Sequence, residues 1–226
     1  MKLKTLLLIL STTFIVTLYG CDQKSETSEL EKIIEQYANL ENATIETRIE
    51  MHHDAFIDSY ESIQKSDGNQ VYNRVYHQYM GGSQENVIYM IFHENTFDYW
   101  IYNDDLLINT GKDEPLENDQ VNTDQSGMFL FNIVDVARLN LEWFVYDTDH
   151  YSIDSDYQDA FLAYIFKDIE EFNIDEVIAL TVKLTETSYF FELKAIDAFV
   201  ETTLIMHIYD LNETIVEIPP YPGETE

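Results

Sequence analysis

The sequence predicts an α+β fold: one large antiparallel sheet, curved into a half-barrel, cupping two or three helices. Three observations carry this. Apolar and polar residues alternate in short runs, the period of a strand with one buried face. Short turn signals join consecutive runs, so neighbouring strands run antiparallel. Helical periodicity occurs before the first group of strands and again between the two groups, and those apolar stripes have only the concave face of the sheet on which to bury.

Ser28 and Glu31 have the spacing of a capping box. Leu30, Ile33, Ile34, Tyr37 and Leu40 follow at helical spacing, which predicts an amphipathic helix over 29–40. From Ala43 the period becomes two: Ala43, Ile45, Thr47, Ile49 and Met51 form the apolar face of a strand. Residues 52–68 are more polar and end in the turn signal Ser66-Asp67-Gly68-Asn69. Strands are expected at 71–80, 87–92, 97–102 and 106–109, with breaks at Gly81-Gly82-Ser83, His93-Glu94-Asn95 and Asp104-Asp105. Residues 110–126 read as a polar loop, and 128–141 as a helix buried on most of its surface. Residues 144–146 and 151–153 suggest a small hairpin. Ser155 and Gln158 again fit a capping box, ahead of the helical stripe Phe161, Leu162, Ile165, Ile169 and Phe172. Four strands then follow, at 178–184, 189–195, 200–208 and 214–218. Pro219-Pro220 ends the last, since proline cannot donate to a ladder.

Composition narrows the function. The net charge of −31 argues against nucleic-acid binding, where Lys and Arg must neutralise phosphates. It argues equally against adsorption of the domain surface onto anionic lipid. Hydrophobic residues make up 45% of the chain, too many for a disordered protein despite the charge. Cys21 is the only cysteine, so the apolar core must stabilise the domain without disulfides.

Lys2 and Lys4 precede a mostly apolar run that ends at Leu18-Tyr19-Gly20-Cys21. The run is shorter than the ~20 apolar residues of a membrane-spanning helix. The arrangement resembles a bacterial lipoprotein signal peptide ending in a lipobox, with Leu18, Tyr19 and Gly20 as the cleavage region; Tyr19 is bulkier than the residue usual there. The resemblance implies that 1–20 is removed and that the Cys21 thiol carries lipid. Because one acyl chain binds a bilayer only marginally, two or more are needed for stable attachment. Residues 21–28 then form the lipidated cysteine and its tether, 29–219 a single domain, and 220–226 a polar tail. Removal of Lys2 and Lys4 takes the charge to −33. The expected location is the extracytoplasmic face of the cell membrane, with lipid on Cys21 as the contact.

The order strands, helices, strands behind a lipobox resembles the LolA/LppX-like lipid-handling proteins and lipoproteins over roughly 43–218. The closing stretch Ile205 to Asp210 and Thr214 to Pro219 is similar to the final hairpin of many Gram-positive surface lipoproteins. The resemblance implies a fold, and an apolar cavity in it, more than an activity.

Catalytic signatures are sparse. Gly81-Gly82-Ser83-Gln84-Glu85 lacks the second glycine of a nucleophile elbow. His52 and His53 point to opposite faces if extended, so they cannot share a metal ion. Asp147, Asp149, Asp154, Asp156 and Asp159 are oxygen ligands of the type calcium prefers, without the glycine of an EF-hand loop. No cofactor is implied. The apolar residues Met128, Phe129, Phe131 and Val134 read either as a ligand-lining lid or as a plug of the core. The expectation is a non-enzymatic lipoprotein binding an apolar or amphiphilic ligand on its concave face. The alternatives are a structural or interaction lipoprotein with a filled core, and an extracytoplasmic hydrolase.

Overall fold

A computed structural model describes residues 29–37, 39–40, 42–67, 69–115, 139–166, 174–197 and 199–223. Leu18, Tyr19, Gly20 and Cys21 lie outside the described residues. So do Met128, Phe129, Phe131 and Val134, and with them most of the expected helix 128–141.

Eleven strands form one sheet. They are β1 (Ala43–His52), β2 (Ile57–Ser66), β3 (Gln70–Tyr79), β4 (Gly82–Phe92), β5 (Thr96–Asn103), β6 (Leu106–Pro115), β7 (Phe144–Asp147), β8 (His150–Ile153), β9 (Ile174–Leu184), β10 (Tyr189–Asp197) and β11 (Val200–Tyr209). Their order is β6-β5-β4-β3-β2-β1-β11-β10-β9-β8-β7, and every neighbouring pair is antiparallel. Two meanders, β1–β6 and β7–β11, are therefore joined side by side through β1 and β11, from Thr44↔Tyr209 to His52↔Glu201.

This corrects the expected α+β half-barrel. The sheet is open and curved, and strands dominate the architecture. The described helices are short: α1 at 29–37 and α2 at Gln158–Ile165. They cover one half of the sheet instead of being cupped by all of it. Leu30, Ile33, Ile34 and Tyr37 of α1 and Phe161 and Leu162 of α2 pack with residues of β1 and β7–β11 in one buried cluster. No residue of β2–β6 belongs to that cluster.

A single row of paired residues shows the division. From β7 to β6 it reads Tyr146, Tyr151, Leu184, Tyr189, Ile208, Ile45, Gln64, Asn73, Ile88, Ile101 and Asn109. Paired residues of an antiparallel sheet share a face. Tyr151 to Ile45 is buried apolar surface beneath the helices; Gln64 and Asn73 interrupt it; Ile88 and Ile101 resume it beyond. The helix-side face of β2 is Asp58, Tyr60, Ser62, Gln64 and Ser66, a polar seam. β2 falls in the stretch 52–68 that the sequence marks only as more polar, because neither of its faces is distinctly apolar.

Three further expectations are corrected. Residues 110–115, read as loop, extend β6. The Ser155/Gln158 capping box does not form: Asp154 accepts from the Asp156 N–H, opening a 3-10 turn that runs into α2. Residues 214–218 are not a strand, because both lateral sides of β11 are already taken by β1 and β10.

That last segment is instead a strap on the outer face. The Thr214 hydroxyl lies 3.2 Å from that of Thr44, and the Thr214 N–H donates to Asn42 Oδ1 at 3.1 Å. Tyr221 packs edge-on to Trp100, with ring centres 5.4 Å apart. Thr44, Lys65, Tyr72, Tyr89 and Trp100 form one row across β1 to β5 on that face. Four strand spacings span ~19 Å, and the extended chain from Thr214 to Tyr221 reaches ~25 Å. Thr214 and Val216 are buried and Ile215 is exposed, so the period of two reflects a ribbon lying flat on the sheet.

Candidate functional site

The wing formed by β3, β4 and β5 carries an amphipathic surface on its helix-side face. Its rows are Val71–Met90–Tyr99, Asn73–Ile88–Ile101 and Val75–Asn86–Asn103. Phe92 pairs with Phe97 at one end, with ring centres 6.1 Å apart, and Phe97 lies 5.7 Å from Tyr99. Val71, Met90, Phe92, Phe97, Tyr99 and Ile101 are half-buried, and Asn73, Val75 and Ile88 between them are buried. Gly111 of β6 permits the Tyr99 ring to lie across it, for a Cβ there would sit 2.2 Å from Tyr99 Cε1.

The opposite end of the same strands is polar. Asn103 Nδ2 donates to Asn86 Oδ1 at 2.9 Å. His77 Nε2 lies 2.7 Å from Asp58 Oδ1, and its ring stacks on Tyr60 at 3.9 Å. Apolar surface thus grades into hydrogen-bonding groups over about six residues of strand, or ~20 Å.

On the outer side of the wing the strap covers Trp100. Trp100 is fully buried between Tyr89 and the strap residue Tyr221, and the Lys112 ammonium sits 5.4 Å from the Tyr221 ring centre. At the β5–β6 edge, Asp98 accepts from the Asp113 N–H at 2.8 Å and pairs with His93 at 3.3 Å. Burial opposes its charge, but these donors prevail and hold its carboxyl below the ordinary range.

Beneath the helices the same face is filled. Phe161, Leu184, Tyr189 and Ile208 are fully buried there. Burial pushes the Tyr37 and Tyr189 phenols well above their ordinary value. A separate cleft of about 430 Å³ opens between β8 and β9, lined by Asp147, His150, Ser152, Ile153, Gln158, Leu180, Thr181, Val182 and Lys183. Its mixed polar lining does not match the continuous apolar cavity that the resemblance implies.

The residues singled out from sequence are dispersed. His52 lies 3.7 Å from Glu50, while His53 stacks on Phe56. Asp149 pairs with His150, Asp147 accepts from Thr148 and Asp154 caps the 3-10 turn. Among the described residues no group of three His, Cys, Asp or Glu side chains is gathered as a metal site. Sequence reasoning missed the wing face, because its parts lie on three strands and only the register aligns them. It also missed the Asp58–His77 pair, whose partners are 19 residues apart.

No family model matches the chain, and no curated protein matches it. Among solved structures, a DUF1329 family protein from Desulfovibrio piger is similar at 8% identity, over 83% of this chain and 91% of that one, with a TM-score of 0.24. A likeness of that strength carries no argument.

Proposed function

We propose that this chain is a non-enzymatic, extracytoplasmic lipoprotein, held to the cell membrane by lipid on Cys21, that binds an amphiphile on its wing. The observation that carries the reading is the graded face of β3–β5. An acyl chain lies along Val71, Met90, Phe97, Tyr99 and Ile101, and its polar head reaches Asn86, Asn103 and the Asp58–His77 pair. Each methylene removed from water there contributes ~0.8 kcal/mol. The polar end fixes the orientation, as the few polar groups of an apolar site usually do.

Native mass spectrometry of the protein purified from a lipid-containing extract tests this. The expected result is a co-purifying amphiphile, lost in Met90→Lys, which puts a charge on the apolar stripe without opening the helix-covered core. A protein free of lipid, with palmitate titration giving no saturable binding, overturns the wing reading. The anchor has its own test: Cys21→Ser is expected to release the protein from the membrane fraction, and retention there overturns it.

A further inference from the structure

The junction of β8 and β9 has no part in the wing, and its construction is unusual for the middle of a sheet. β10 pairs along β9 from Leu184 to Ile174, but β8 joins β9 through the single pair Tyr151↔Leu184. Among the described residues, Glu176 to Val182 therefore has no strand on its second side. Alternate residues of that stretch direct their N–H and C=O groups into the gap. Val177 and Ile178 on the same edge are 38% and 49% exposed. A long edge with exposed apolar residues is ordinarily blunted by charge, proline or cover, because it pairs readily with another chain.

The cleft of about 430 Å³ lies in this gap, within the usual range for ligand sites. Leu180 and Val182 line it from the helix-side face, and Thr181 and Lys183 from the other. It is thus a slot between diverging strands, with both faces of β9 represented in its walls. An inserted strand would place its own alternate side chains against these two sets.

Charge selects the occupant. Asp147 lines the slot, and Asp149, Asp154, Asp156 and Asp159 lie within two residues of lining positions. Lys183 and His150 are the basic groups in the lining, and His150 is paired with Asp149 at 2.8 Å. A second copy of a chain with net charge −31 is repelled from such a rim. The geometry points to a strand-addition site: the slot takes an extended peptide bearing lysine or arginine, whose backbone pairs with the open edge of β9. The edge supplies the main-chain hydrogen bonds, and the aspartates supply the preference for cations.

The probe is a capped peptide of about eight alternating lysine and valine residues, matched to the ~26 Å of strand from Glu176 to Lys183. It is added to the full-length protein and amide hydrogen exchange is followed. Slowed exchange confined to Glu176–Val182 is expected, with affinity falling as salt rises. The same peptide methylated on alternate backbone nitrogens keeps its charge and loses its donors, and is expected to bind about tenfold or more weakly, a difference of ~1.4 kcal/mol. Equal binding of the two peptides, or protection spread over the sheet, overturns the proposal and leaves only an acidic surface collecting cations. Ser152→Trp, which fills the slot from β8, is expected to abolish binding, whereas Met90→Lys on the wing leaves it intact. Peptide binding that survives Ser152→Trp also overturns the proposal, whatever the outcome of the lipid titration.

Discussion

The two halves of the sheet are made of similar strands but bury themselves differently. In the half built from β1 and β7–β11, the helix-side face is covered by α1 and α2, and Leu184, Tyr189, Phe161 and Ile208 are fully buried. In the wing, Asn73, Val75 and Ile88 of the corresponding face are buried and the residues around them half-buried, while on the outer face the strap from Thr214 to Tyr221 covers Trp100. The polar face of β2 marks the changeover. The apolar face of one half is packed under helices, and that of the other is less completely buried.

Removing one core side chain from each half should break this symmetry most visibly. Leu184→Ala is expected to lower the unfolding free energy by ~2–5 kcal/mol, since a buried leucine leaves a cavity as well as losing its transfer energy. Phe97→Ala, at a half-buried position, is expected to cost under ~1.5 kcal/mol. Urea titration of both variants checks this, and equal losses would mean the wing face is as well covered as the core.

A smaller effect is expected from ending the chain after Glu213. The strap buries Thr214, Val216 and part of Trp100, so its loss should cost ~2–3 kcal/mol. The two tryptophans of the chain divide between the halves, Trp100 in the wing and Trp143 against Phe161 and Tyr164. In the truncated protein, Trp100 emission should shift to the red while Trp143, followed in Trp100→Phe, stays put. A shift of both would show that the strap supports the whole sheet.

The smallest expected difference is in pH dependence. Burial, then the bond to Glu46, pushes the Tyr209 phenol up to about 12. Its contribution is fully present below the unfolded value near pH 10, and is lost as pH rises through about 12. Tyr37 and Tyr189 shift in the same direction, as do Tyr60, Tyr72 and Tyr89 on β2–β4, so both halves should loosen in alkali. Asp98 behaves in the opposite sense: its depressed value gives stability that is present above its ordinary value of 3.8 and lost as pH falls through the folded one. Exchange rates across pH should therefore show the β5–β6 edge losing protection in acid. Asp98→Asn should remove that loss.

Much of this architecture is written in local periodicity. Ile45, Ile49, Phe191, Leu193, Leu204 and Met206 all lie on the face that their alternation assigns them. The reversals between Asp67 and Gln70 and at Asp104-Asp105 fall where their residue types place them; Asp67 Oδ1 accepts from the Gln70 N–H, and both aspartates of the second turn have positive φ. β2 was not legible, because a strand between two others is held by ladder bonds even when both its faces are polar. The strap was half legible: its alternation correctly gave an extended chain with one buried side, but alternation does not say whether that side meets another strand's edge or a sheet's face. The wing site was illegible for a related reason, since β3, β4 and β5 bring together residues that are unremarkable one by one.

By itself the sequence determined where most strands and turns lie, which residues face inward, and the strong negative charge around them. These follow from properties of neighbouring residues, which a linear chain displays directly. Only the tertiary structure decided that β1 and β11 join the two meanders, that the helices cover one half alone, and that β8 parts from β9 to leave a slot. Those outcomes depend on which of several compatible edges meet, and lateral pairing between segments some 160 residues apart is set by the whole packed sheet.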